Sequence, residues 1–173
     1  MSGTDLIIHV NGKSVTVPAV DADMNLAEFL HERLDLTGTK VCCGIGVCRA
    51  CTVGLRNRPK ALMEKTLACT TTVSAIANQY VYTVEGLAEG SRLSPLQQSF
   101  LESFAFQCGY CTPGFLMAAT AMLDHLKEYR IGPEQLEATI QTWMGGNLCR
   151  CTGYVKYLEA IRKVARAQIK GGS

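Results

Sequence analysis

Lys40-Val-Cys42-Cys43-Gly44-Ile-Gly46-Val-Cys48-Arg49-Ala-Cys51 gathers four cysteines and two glycines into one short loop. Outward from it lie Cys69, Cys108, Cys111, Cys149 and Cys151, nine cysteines in all. An odd number cannot be fully paired as disulfides. The start, Met1-Ser-Gly-Thr-Asp5, lacks a basic segment followed by an apolar run. No secretory signal is therefore expected, and the expected location is the cytoplasm, with periplasmic export alongside a folded partner as the alternative. In such a chain clustered cysteines read first as metal ligands.

Taken as Cys43, Cys48, Cys51 and Cys69, the first set has the spacing C-x4-C-x2-C followed by a distant C. That is the plant-type ferredoxin spacing for a 2Fe–2S centre. Ferric ions take soft thiolates in tetrahedral geometry. The assembled centre is anionic and needs N–H donors, which a loop containing Gly44 and Gly46 can turn toward the sulfurs. Structural zinc also takes four thiolates, but usually as two close pairs rather than three near ligands and one remote.

The second set is Gln107-Cys108-Gly-Tyr-Cys111-Thr-Pro-Gly114 together with Asn147-Leu-Cys149-Arg150-Cys151-Thr-Gly-Tyr154. The intervening residues suffice for a helical hairpin that returns the second pair to the first. Each pair precedes an expected helix, so two positive helix ends would face one anionic centre. Zinc is an open alternative for this half read alone. A thioredoxin-like reading of the CxxC lacks its βαβ context.

The 173 residues are 47% hydrophobic with a formal charge of +2. That is enough for a packed core, and nothing in it points to nucleic acid or a membrane surface. The longest apolar stretch, 114–123, is closed by Asp124 and is too short to cross a bilayer. Strands are expected over 6–10, 15–17, 52–55 and 80–84, with Asn11-Gly12 as a hairpin turn. A helix capped by Asn25 is expected over 26–34. Gly86, Gly90, Ser91, Ser94 and Pro95 mark a linker. Helices are expected over 96–106, with Ser94-Pro95 as N-cap and first helical residue, and over 115–129, 134–144 and 154–168.

These residues closely resemble the 2Fe–2S iron–sulfur small subunit of the xanthine oxidase family of molybdenum hydroxylases, of the aldehyde oxidoreductase and carbon monoxide dehydrogenase small-subunit type. The resemblance rests on Gly38-Thr-Lys40 with the Cys43–Thr52 loop, on Gln107–Gly114 and on Gly146–Tyr154, and it covers nearly the whole chain. It implies an α+β protein. A β-grasp plant-type ferredoxin domain would occupy 1–85, a linker 86–93 and a four-helix-bundle 2Fe–2S domain 94–173.

The resemblance also implies two 2Fe–2S clusters, held by Cys43, Cys48, Cys51 and Cys69 and by Cys108, Cys111, Cys149 and Cys151. Electrons would come from molybdopterin, in a dinucleotide form, in a large partner subunit. They would pass through the Cys108 set to the Cys43 set, and then to a subunit carrying FAD or a cytochrome c haem. Gln107 and the Cys149 region would lie beside the partner's pterin. Substrate oxidation would occur in the partner, with no catalytic residue in this chain.

Two positions depart from the family's pattern. Cys42 stands where a glycine is usual, and Arg49 where a second glycine is common. Cys42 reads as a small buried thiol or as a redox-active one. Arg49 is expected either to raise the potential of the first cluster or to be solvated at the mouth of the loop. Arg150 is expected either to tune the second cluster or contact a cofactor phosphate, or simply to be exposed. His9, His31 and His125 lack ligand spacing. The alternatives to a complexed subunit are a free-standing two-cluster carrier, a structural zinc module and a redox sensor acting through Cys42.

Overall fold

The computed structural model describes residues 4–171, so part of the Met1–Asp5 start lies outside it. The described residues form a mixed α/β fold with one five-stranded sheet and five α-helices. Strands β1 (Leu6–Val10) and β2 (Lys13–Val17) form an antiparallel hairpin. Its turn puts Asn11 at φ 49° and Gly12 at φ 82°, the left-handed pair that a tight hairpin requires. Helix α1 (Leu26–Glu32) follows, with the Asn25 side chain accepting from the Glu28 amide at 2.9 Å. It ends before 34 because Arg33 caps it and Asp35 turns left-handed at φ 54°.

Strand β3 (Thr52–Arg56) pairs with β4 (Glu64–Leu67), a strand the sequence reading missed. Strand β5 (Tyr80–Tyr82) enters between β1 and β3, giving the order β2-β1-β5-β3-β4 with β1 and β5 parallel. The expected extension of β5 to 84 is instead the start of a 3₁₀ turn, Val84–Leu87. Leu26, Phe29 and Leu30 of α1 pack on Ile8, Val10, Val53 and Val81, all buried. That core fixes one face of the sheet and both ends of the 40–51 loop.

The C-terminal half has four helices. Helix α2 (Pro95–Glu102) opens on a reciprocal capping box between Ser94 and Gln97. It stops short of 106 because Phe104 adopts φ 48°. Helix α3 (Thr112–Glu128) packs on the other face of β3, where a Cβ on Gly54 would collide with Met63. Helix α4 (Leu136–Met144) begins after a turn over 132–135, later than expected. Helix α5 (Val155–Gly171) runs past 168 and packs on α2, α3 and α4. Fully buried Tyr157 stacks on Phe115 with ring centres 4.5 Å apart. No helix among the described residues is long and apolar enough to cross a membrane.

Candidate metal centres and the seam between them

The eight candidate thiols come together as four pairs. Cys43 and Cys48 meet through the Cys48 amide, which donates to the Cys43 sulfur at 3.4 Å, and through a contact between their side chains. Cys51 and Cys69 are brought side by side because the Ala68 amide donates to the Cys51 carbonyl at 3.2 Å, an extension of the β3–β4 ladder. In the helical half Cys108 and Cys151 have sulfurs 3.5 Å apart. Cys111 contacts Cys149.

Among the described residues no three donors converge as for one isolated ion. Pairing is what a two-iron centre asks of four thiolates, two for each iron. The ninth cysteine, Cys42, is exposed rather than buried, contrary to the bland expectation for it.

The surroundings suit an anionic group. The Cys48 and Ile45 amides lower the Cys43 thiol to about 6, with a smaller share from Val47. Gly44 (φ 68°) and Gly46 (φ 77°) supply the backbone turns that aim these amides inward. Burial pushes Cys51 up to about 12 and Cys111 to about 11, so bare thiolates there need a metal's positive charge. Burial also raises Cys149, but the Thr152 hydroxyl at 3.1 Å and nearby amides outweigh it and leave that thiol lowered.

Tyr157 Oη lies 3.4 Å from the Cys111 sulfur and 2.7 Å from Thr112 Oγ1. Toward a thiolate, both the Thr152 and Tyr157 hydroxyls act as donors. Paired thiols, inward amides and hydroxyl donors together form a donor set that fits two iron–sulfur centres. Thr152 and Tyr157 escaped the sequence reading; only their place in the C-x-C-T-G-Y run and on the inner face of α5 hinted at them.

The helical-half set has an inner and an outer pair, whereas in the first set Cys51 is buried and Cys43, Cys48 and Cys69 are half-buried. Cys111 and Cys149 are buried, whereas Cys108 and Cys151 are exposed, with exposed Gln107 beside them. Arg150 is exposed.

The two ligand loops touch directly. Leu148 N, next to Cys149, donates to the Cys48 carbonyl at 3.0 Å. Asn147 Nδ2 donates to the Arg49 carbonyl at 3.2 Å, and Tyr110 Oη to the Val41 carbonyl at 2.6 Å. Gly114 makes the approach possible: a Cβ there would lie 2.5 Å from the Arg49 carbonyl oxygen. Further along the seam, Asp124 accepts from the Met63 amide at 2.8 Å and pairs with Arg56 at 3.0 Å.

Two family models match the chain. The family described as "2Fe-2S iron-sulfur cluster binding domain" matches residues 8–74, and "[2Fe-2S] binding domain" matches 83–162. Aldehyde oxidase 2 of Rattus norvegicus is 40% identical over 167 residues, 93% of this chain and 12% of the relative. Xanthine dehydrogenase/oxidase of Felis catus is 39% identical over 171 residues, 96% of this chain and again 12% of the relative. The chain thus spans about an eighth of the curated relatives it matches. Among solved structures, a chain of quinoline 2-oxidoreductase from Pseudomonas putida 86 matches with TM-score 0.79 and 34% identity, each chain fully covered. The aldehyde oxidoreductase from Desulfovibrio gigas matches with TM-score 0.81 and 33% identity, over 99% of this chain and 18% of that one.

Proposed function

This chain belongs to the xanthine oxidase family of molybdenum hydroxylases, as its iron–sulfur part, and on that footing we propose that it carries single electrons between two 2Fe–2S centres within an oxidoreductase complex. The observation that carries the proposal is the pairing of eight thiols into two sets, whose loops are joined by the hydrogen bond from Leu148 N to the Cys48 carbonyl. When bound, each centre supplies a one-electron redox couple. The residues do the rest. Cys43, Cys48, Cys51 and Cys69 hold one centre. Cys108, Cys111, Cys149 and Cys151 hold the other. The loop amides, Thr152 and Tyr157 neutralise thiolate charge. The seam keeps the centres at a fixed separation.

Electrons enter from a large molybdopterin-binding subunit at the exposed Cys108–Cys151 side, where Gln107 faces that partner. They leave from the Cys43 loop to an FAD-binding or cytochrome c subunit. The exposed Phe104, Phe106 and Tyr110 beside Cys108, and Ile45 and Val47 beside Cys43, support two separate contact faces. The halves 1–85 and 94–173 are read as a β-grasp ferredoxin domain and a four-helix-bundle domain joined by 86–93. Cytoplasmic location belongs to the same reading.

The test is iron and acid-labile sulfide on the anaerobically purified complex, with electron paramagnetic resonance after dithionite reduction. Two irons and two sulfides for each cysteine set, with two distinct rhombic signals, are expected. Zinc without sulfide would overturn the proposal. Substituting Cys111→Ser should remove about half the iron and one of the signals.

A further inference from the structure

Arg49 sits inside the first ligand loop with a left-handed backbone, φ 58°. Glycine adopts that conformation freely, whereas a residue with a Cβ is strained by it. Both ends of the arginine reach the second ligand loop. Its carbonyl accepts from Asn147, and its guanidinium lies on Gly146, where any Cβ would collide with Nη1, Cζ and Nε. Gly146 leads through Asn147 and Leu148 to Cys149, so one side chain touches the approaches to both cysteine sets.

The guanidinium is half-buried and takes part in none of the ion pairs among the described residues. The charged group whose field it meets is another cation. Lys65 has its Nζ donating to the Trp143 carbonyl at 2.8 Å and lying over the Trp143 ring. Burial lowers the Lys65 pKa, and Arg49 lowers it further. Glu64 offsets part of this at Lys65, yet the Lys65 pKa stays lowered, so two cations held this close still favour a further anion near them. Arg49 itself stands between Cys48 and Cys51 in the first ligand loop and reaches Gly146 in the second, so its charge adjoins the chain segments that carry both thiolate sets.

We propose that Arg49 is a shared counter-charge for both centres, raising the reduction potential of each, with Lys65 reinforcing it. The proposal rests on the two-centre reading above. Reduction adds one electron, and hence one negative charge, to a centre; dithionite supplies it in the experiment. A guanidinium held between the two loops stabilises that added charge on either side. Arg49 is thus a positioning and electrostatic residue, not a ligand.

The experiment is potentiometry of the holoprotein followed by paramagnetic resonance, with iron and sulfide counted first. Arg49→Gln should lower both midpoint potentials, by about tenfold in each reduction equilibrium, or ~59 mV for one electron. Arg49→Lys should keep most of each potential. Gly146→Ala keeps the charge but displaces the guanidinium, and should lower the second centre more than the first. A shift confined to the Cys43 set, or no shift at all, overturns the proposal.

If Arg49→Gln cannot retain its iron, Lys65→Gln decides, because it leaves both loops intact. Lowered potentials at both centres uphold the shared charge, and unmoved ones overturn it. A purely structural role would change iron retention or unfolding and leave the potentials in place. Absence of sulfide from the unaltered protein would sink the two-centre reading itself, whereas two intact centres with unmoved potentials sink only the shared counter-charge.

Discussion

Gly114 has ordinary backbone angles, and its need for glycine comes from a neighbour. The Arg49 and Ala50 carbonyl oxygens occupy the space a side chain would take, 2.5 and 2.9 Å from an added Cβ. Backbone atoms cannot swing aside as a flexible side chain can, so Gly114→Ala must push the first ligand loop off α3. Overpacking of this kind costs roughly 1–3 kcal/mol. Denaturant unfolding should show a loss in that range. Electron exchange between the centres, followed by rapid-freeze resonance, should slow even where both centres stay fully loaded. Unchanged exchange with the loss of stability intact would mean that the contact is packing alone. The cysteines were readable in the sequence because a ligand loop needs its residues at short, fixed spacing. Gly114 stands in the Gln107–Gly114 motif, but the reason for it is not readable there, since the atoms it accommodates lie far away in the chain.

Local signals were strong at element scale wherever capping chemistry is local. Ser94-Pro95 announced α2, and the structure completes it with Gln97, whose side chain accepts from the Ser94 amide at 2.9 Å while its own amide donates to Ser94 Oγ at 3.3 Å. Removing the hydroxyl with Ser94→Ala should cost about 1 kcal/mol, seen as a lower thermal midpoint, and Ser94→Asp should recover most of it. An unaffected midpoint would show that α2 is held by Leu96 and Phe100 in the core rather than by its cap.

Strand β4 illustrates the opposite case. Glu64-Lys-Thr-Leu67 has one large apolar residue and no alternation to betray it. It is a strand because β3 offers it partners from Thr52↔Leu67 to Leu55↔Glu64, information that resides in the other strand. The insertion of β5 between β1 and β3 was equally hidden, because strand order follows from which faces bury together and not from any one segment. The helix ends at 102 and 32 moved for a backbone reason, left-handed residues at Phe104 and Asp35, whose side chains do not advertise it.

For the whole molecule, the acid limb of stability follows from three paired carboxylates. Arg33 bonds Asp21 at 2.8 and 2.9 Å and holds its pKa below 3.8. Lys163 does the same to Glu102, and Arg162 to Glu137, below 4.5. Each folded pKa is depressed, so the unfolded chain binds the proton more readily. The stabilisation is full above the ordinary carboxylate values and is lost as pH falls through the folded ones. Asp21→Asn should therefore be less stable than the unaltered protein at neutral pH, with the gap closing below about pH 4. Comparing the two at each pH cancels the acid loss of metal common to both, and a gap that stays constant with pH would show the pair contributes no charge-dependent stability.

The bond from Leu148 N to the Cys48 carbonyl bears on how such chains can be recombined. A hybrid that joins the front half of one relative to the back half of another inherits a mismatched joint wherever the residue at 49 and the glycines at 114 and 146 come from different parents. Each half would then fold and load its metal normally while conducting poorly to the other, so the smallest exchangeable unit is the chain entire.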